Sequence, residues 1–189
     1  MRKTIYKLFW LWELDREENW INEMAAHGYS LEHAGRFSFA FEETEPKKYR
    51  YKTVFLKGSS SSAENIKYFR FLEEMGIHVV SQLNYPGTCC VYLRSLYGDN
   101  PEGIELYSDI DSKITYLKTT AWYMVFVAVF TLFGAILNFS VTLLPHNGNR
   151  IINLIMAGLV FAIFIGAVMA AVKSFVKIST LKREREIHE

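Results

Sequence analysis

Cysteine is nearly absent from this chain. Cys89 and Cys90 are the only two in 189 residues, and neighbours on a strand point to opposite faces, so they give no disulfide framework and suit a reducing compartment. Neither has an adjacent His or Lys to lower its pKa, which leaves a nucleophilic role without support. The five histidines, His27, His33, His78, His146 and His188, stand at no metal-ligand spacing. A sheet is able to bring His33, His78 and Cys89 together, but surface or core positions are expected for them. A basic excess is missing too: from Met1 to Lys118 fifteen Lys and Arg stand against seventeen Asp and Glu. That balance speaks against nucleic acid as a partner.

Catalytic spacing is also lacking. Lys57-Gly58-Ser59-Ser60-Ser61-Ser62 offers amides and hydroxyls ahead of a helix, but without the glycine and lysine spacing of a nucleotide-binding loop it reads as a flexible, capped connection. The carboxylate pairs Glu17-Glu18, Glu42-Glu43 and Glu73-Glu74 are consecutive, so a helix or strand sends their members in different directions, as on solvated faces. No enzyme, cofactor or metal site is expected.

What the chain does have is two uncharged apolar runs, Ala121 to Leu144 and Ile151 to Val172, joined by Pro145-His146-Asn147-Gly148-Asn149-Arg150. The second run, 22 residues long, spans about 33 Å as a helix, enough for a hydrocarbon core about 30 Å thick. The pair predicts a transmembrane hairpin. Lys113 and Lys118 precede it and Lys173, Lys177, Lys182, Arg183 and Arg185 follow it, whereas the connection carries only Arg150 and a usually neutral His146. That asymmetry predicts a multi-pass protein of the inner (plasma) membrane with both termini cytosolic. Neither run holds an ionisable residue, which argues against a proton or ion pathway. Gly158, Ala162, Gly166 and Ala170 recur every four residues, a stripe on which another helix could pack closely, either the first span or the same span of a second molecule.

The organisation expected is a cytosolic domain over 1–98, a juxtamembrane helix over 99–120, spans over 121–144 and 151–172 with a short extracytoplasmic loop at 145–150 between them, and a basic tail over 173–189. Within the domain, Thr4 to Trp12 reads as a strand. A helix follows, with Asp15 and Glu18 as a capping box and Gly28 at its C-terminal cap, and then come strands over Tyr29 to Ala34 and Phe37 to Phe41. The order repeats: a strand over Tyr49 to Leu56, a helix capped by Ser61 and Glu64 and closed by Gly76, and strands over Ile77 to Leu83 and Thr88 to Ser95 around the turn Asn84-Tyr85-Pro86-Gly87. The fold class expected is α+β: two duplicated strand-helix-strand-strand units forming an antiparallel sheet with two helices on one face, related by a pseudo-twofold. Ser108 with Asp111 is expected to cap the juxtamembrane helix.

Phe9-Trp10, Glu17-Glu18, Trp20, Asn22, Met24-Ala25, Gly28 and Leu31, followed by an aromatic strand and Tyr49-Arg50-Tyr51, resemble a bacterial family catalogued as domain of unknown function 2812. The resemblance covers the first half of the chain. It implies a membrane-anchored cytosolic domain linked to a PadR-like transcriptional regulator, in the response to a small molecule or envelope stress. It brings no catalytic residues.

The aromatic load of the domain reads first as core, because each ring buries much apolar area. A sharper expectation is a groove in which Trp10, Trp12, Phe37, Phe39, Phe41 and Tyr51 bind a small hydrophobic or cationic ligand. The leading functional expectation is a membrane-anchored regulatory or interaction domain whose partners are the bilayer and a regulator protein or a second copy. A small-molecule sensor and an accessory subunit of an envelope transporter are the alternatives.

Overall fold

The computed structural model describes residues 2–10, 12–98, 109–143 and 150–188, with side chains as far as Glu184. The expected Ser108 cap, the loop around His146 and the side chains of Arg185 and His188 lie outside the described residues. Two compact units divide the chain, Met1–Tyr116 and Leu117–Glu189.

The first unit is the duplicated α+β module. Strand β1 (Arg2–Tyr6), helix α1 (Leu14–Ala26), β2 (Tyr29–Ala34) and β3 (Ser38–Glu43) form one half; β4 (Tyr49–Lys57), α2 (Ala63–Glu74), β5 (His78–Tyr85) and β6 (Thr88–Leu96) form the other. Each half has its own antiparallel three-stranded sheet, ordered β1-β3-β2 and β4-β6-β5. Each helix ends on a glycine in the left-handed region, Gly28 at φ 85° and Gly76 at φ 77°, where a side chain would strain the backbone. Three residues beyond each glycine the next strand breaks register, between Leu31 and His33 and between Val79 and Ser81. A bulge repeated at the same offset marks a shared design.

Counting along the central strands from these bulges matches Phe41 with Leu93 and Ala40 with Tyr92. Through β3 and β6, Lys3-Thr4-Ile5-Tyr6 then aligns with Lys52-Thr53-Val54-Phe55. The duplication is therefore visible in sequence at the first strand of each half, where Lys-Thr is followed by a branched and then an aromatic residue.

The second sheet is buried on both faces. Val54, Leu56, Cys89, Val91 and Leu93 pack with Leu72, Tyr68 and Phe69 of α2 in one apolar cluster. The alternate residues Phe55 and Tyr92 point the other way. Phe55 meets Tyr116, which also stands edge-on to Tyr85, both with centroids within 5.0 Å, and Tyr92 bonds Glu17 of α1. Thus α1 and α2 lie on opposite sides of this sheet. α1 also covers the first sheet, where Trp20 packs edge-on against Phe39 and Phe41 and tilts against Phe9. The sheets do not fuse into one six-stranded ladder: at the β2–β5 seam the Ser81 hydroxyl donates to the Ala34 carbonyl at 2.8 Å.

The second unit is a helical hairpin. Its helices, α3 (Asp109–Thr142) and α4 (Arg150–His188), are long and apolar enough to cross a membrane. The side chains turned away from solvent or lipid recur at threes and fours: Leu117, Ala121, Met124, Ala128, Thr131, Ala135 and Asn138 on α3, and Ala157, Val160, Phe164, Ala167, Ala171, Ser174, Ile178 and Leu181 on α4. This spacing is a heptad repeat. A Cβ on Gly134 of α3 would lie 3.7 Å from Val160 of α4. The outer surface carries Phe126, Phe130, Phe133, Ile155, Leu159 and Ile163, all exposed.

Candidate functional site

The most specific chemistry in the first unit lies where its two halves meet. β4 is an edge strand, and an uncovered edge presents unpaired N–H and C=O groups. Here α1 closes it with side chains. The Tyr51 N–H donates to Asn22 Oδ1 at 2.8 Å, and Asn22 Nδ2 donates to the Tyr51 carbonyl at 2.9 Å, so one side-chain amide takes the place of a neighbouring strand. One turn earlier, the Thr53 N–H donates to Glu18 Oε2 at 2.8 Å while Lys52 Nζ stands 3.1 Å from Glu18 Oε1. Glu18 and Asn22 are four apart, on one helical face. The reading of Glu18 as part of a capping box is corrected here: α1 starts at Leu14 with no side-chain cap, and the Glu18 carboxylate is engaged by β4.

A second polar group lies beside it. The Tyr51 hydroxyl accepts from the Leu31 N–H at 2.8 Å and shares a hydrogen with Ser30 Oγ at 3.1 Å. Arg94 donates to Ser30 and Glu32, each at 3.2 Å, and its guanidinium lies 4.6 Å from the Tyr49 ring centroid. Burial pushes the Tyr51 phenol above its ordinary value despite the contacts of Ser30, Leu31 and Arg94, which act to lower it. Burial likewise raises the Glu17 carboxyl, partly offset by the hydrogen bond from Tyr92, and burial foremost raises Tyr92. These contacts join residues 20 to 75 positions apart, and no local spacing announces them.

The six aromatic residues predicted to line a groove occupy three places. Phe39 and Phe41 are fully buried among Trp20 and Phe9. Tyr51, 3 % exposed, belongs to the polar junction. Trp10 and Trp12 stack on each other at 5.3 Å and 8°, and Trp10 and Phe37 are each just over half exposed. His33 and Cys89 are also apart: His33 lies at the seam with Ser81, whereas Cys89 is buried on the α2 side. In the hairpin, Gly158, Ala162 and Gly166 face outward and Ala170 alone of the predicted stripe is buried. Among the described residues, nothing beyond the helix's own adjacent backbone lies within 4 Å of a Cβ placed on Gly158 or Gly166. α3 instead approaches α4 at Val160, opposite Gly134.

A family model described as "Protein of unknown function (DUF2812)" matches residues 13–130. It takes in both halves of the module from α1 onward and the first part of α3. No curated protein and no solved structure matches the chain.

Proposed function

The chain belongs to the DUF2812 family of unknown function, and from that premise we propose that it is a membrane-anchored interaction domain. The hairpin holds the α+β module at the cytosolic face of the plasma membrane, with both termini on that side. The observation that carries this reading is the hairpin itself: two long helices whose less exposed side chains form a narrow stripe while phenylalanine, leucine and isoleucine cover the outer surface. Such a surface is stable in lipid and costly in water. The lysines that flank the two helices support the orientation.

The module's own surface supports a protein partner. Tyr6, Leu8, Trp10 and Phe37 are all more than half exposed, with Phe37 beside Lys7 through the bond from the Lys7 N–H to the Phe37 carbonyl at 3.1 Å. Exposed apolar groups next to cations suit a protein interface. A transcriptional regulator of the PadR-like kind is the partner we propose first. The test is affinity capture of the full chain from gently solubilised membranes, with mass spectrometry of what it retains. Recovery of a regulator that a Trp10→Ser, Phe37→Ser variant no longer retains is expected; equal recovery by the variant, or recovery of transporter subunits alone, would overturn it.

A further inference from the structure

The two halves of the module repeat the same edge strand but do not treat it alike. Lys52-Thr53 on β4 is covered by Glu18 and Asn22 of α1. Its counterpart, Lys3-Thr4 on β1, has the same pairing to its central strand. The Lys7 N–H bonds the Phe37 carbonyl, so Lys3, Ile5 and Lys7 turn their backbone groups inward. In an antiparallel ladder the intervening Arg2, Thr4 and Tyr6 then turn theirs outward. Tyr51 and Thr53, the counterparts of Arg2 and Thr4, are the residues that Asn22 and Glu18 bond. Among the described residues nothing is bonded to the outward groups of β1, and Arg2, Lys3, Thr4 and Tyr6 are exposed, Tyr6 by 81 %. Helix α2 does not supply the cover: at the positions equivalent to Glu18 and Asn22, set by the capping glycines, it carries Ile66 and Arg70.

We propose that the β1 edge is a docking site for a helix of a partner protein that carries Glu and Asn four residues apart, bound as α1 binds β4. The Glu carboxylate accepts from the Thr4 N–H and pairs with the Lys3 ammonium; the Asn amide brackets the N–H and C=O of Arg2. Arg2, Lys3 and Lys7 outnumber the two carboxylates of the neighbouring strand, Glu42 opposite Arg2 and Glu43, a cationic balance that favours an acidic helix and opposes pairing with the same strand of a second copy. Lys3 Nζ stands 5.6 Å from the Tyr29 ring centroid, a contact it can keep while meeting a carboxylate. Tyr6, Leu8 and Trp10 extend the same stretch of chain and supply apolar area.

This inference rests on the interaction-domain reading and names the partner's chemistry. Its test uses the full chain in lipid nanodiscs and a labelled synthetic peptide with the sequence of Glu13 to His27, which carries Glu18 and Asn22. Saturable binding is expected by fluorescence anisotropy, with affinity falling at least about tenfold when the peptide carries Gln and Ala at those two positions. Lys3→Glu should weaken binding similarly. So should Thr4→Pro, which removes an outward N–H without touching the ladder. Circular dichroism of both variants checks that the module remains folded. Absence of binding at millimolar peptide, equal affinity of the altered peptide, or binding indifferent to both edge variants would overturn the proposal. So would a detergent-solubilised full chain that dimerises through β1 and becomes monomeric on Thr4→Pro. A partner captured from membranes equally well by Lys3→Glu and wild type would refute this site and leave the broader reading standing.

Discussion

Asn22 is the residue on which the joining of the two halves most visibly depends, and its replacement by leucine gives a quantitative test. The side chain makes two good hydrogen bonds to Tyr51, at 2.8 and 2.9 Å, in a partly buried setting. Leucine is close in volume, so the change removes polarity with little loss of packing. It strands one donor and one acceptor on β4. Each stranded partner costs about 1–3 kcal/mol, and partial access of water to the edge favours the lower part of that range, so about 2–4 kcal/mol is expected in total. If β4 opens from its edge, this corresponds to amide exchange about 30- to 1,000-fold faster. The assay is hydrogen–deuterium exchange of the full chain in nanodiscs, read on peptides covering Tyr49–Lys57, with β3 as the internal reference. Lys52→Met should have a much smaller effect, since a partly exposed ion pair is worth about 1 kcal/mol or less. Unchanged exchange in β4 with the fold intact would refute the view that the Asn22 amide acts as a surrogate strand.

Three further outcomes follow from the same structure. Because burial raises the Glu17 carboxyl above its ordinary value of 4.5, the folded state holds that proton more tightly than the unfolded chain does. Stability should therefore fall as pH rises from about 4.5 through the raised folded value; Glu17→Gln should flatten the slope and Tyr92→Phe should steepen it, as read by thermal melts between pH 4 and 8. Gly28→Ala should destabilise more than Gly76→Ala: both need a positive φ, but a Cβ at 28 would also lie 2.9 Å from the Thr44 carbonyl oxygen whereas 76 faces open space, so costs of about 2–3 against about 1 kcal/mol are expected by denaturant titration. Gly134→Leu should loosen the hairpin, where Val160 lies opposite, while Gly166→Leu should leave its thermal stability in micelles unchanged; equal effects would contradict packing along the heptad repeat.

Local chemistry made the element order legible. Gly28 and Gly76 end their helices, the Pro86-Gly87 turn joins β5 to β6, and Tyr29–Ala34 is a strand with the bounds its residues suggest. Charge-free length announced the hairpin. Element ends were less visible: β1 stops at Tyr6 instead of Trp12 because Phe9 turns onto Trp20 and Trp10 onto Trp12, and the second helix is capped by Ser62, one residue after the expected Ser61, its hydroxyl accepting from the Asn65 N–H. Tertiary pairing was not visible at all. Nothing near Glu18 or Asn22 in sequence points to Thr53 or Tyr51, and nothing in Phe37, Phe39 and Phe41 says that the first is exposed and the other two are sealed under Trp20. Alternation along a strand assigns sides; which side becomes core depends on the helix that covers it.

Whether a helical hairpin holds the module at the cytosolic face can be read from protease protection of the full chain in oriented membrane vesicles. After alkaline washing the protein should remain in the membrane. Both the module and a C-terminal epitope tag are expected to be digested in inside-out vesicles and protected in right-side-out vesicles. Release by the alkaline wash, or digestion of either end in right-side-out vesicles, would contradict that placement.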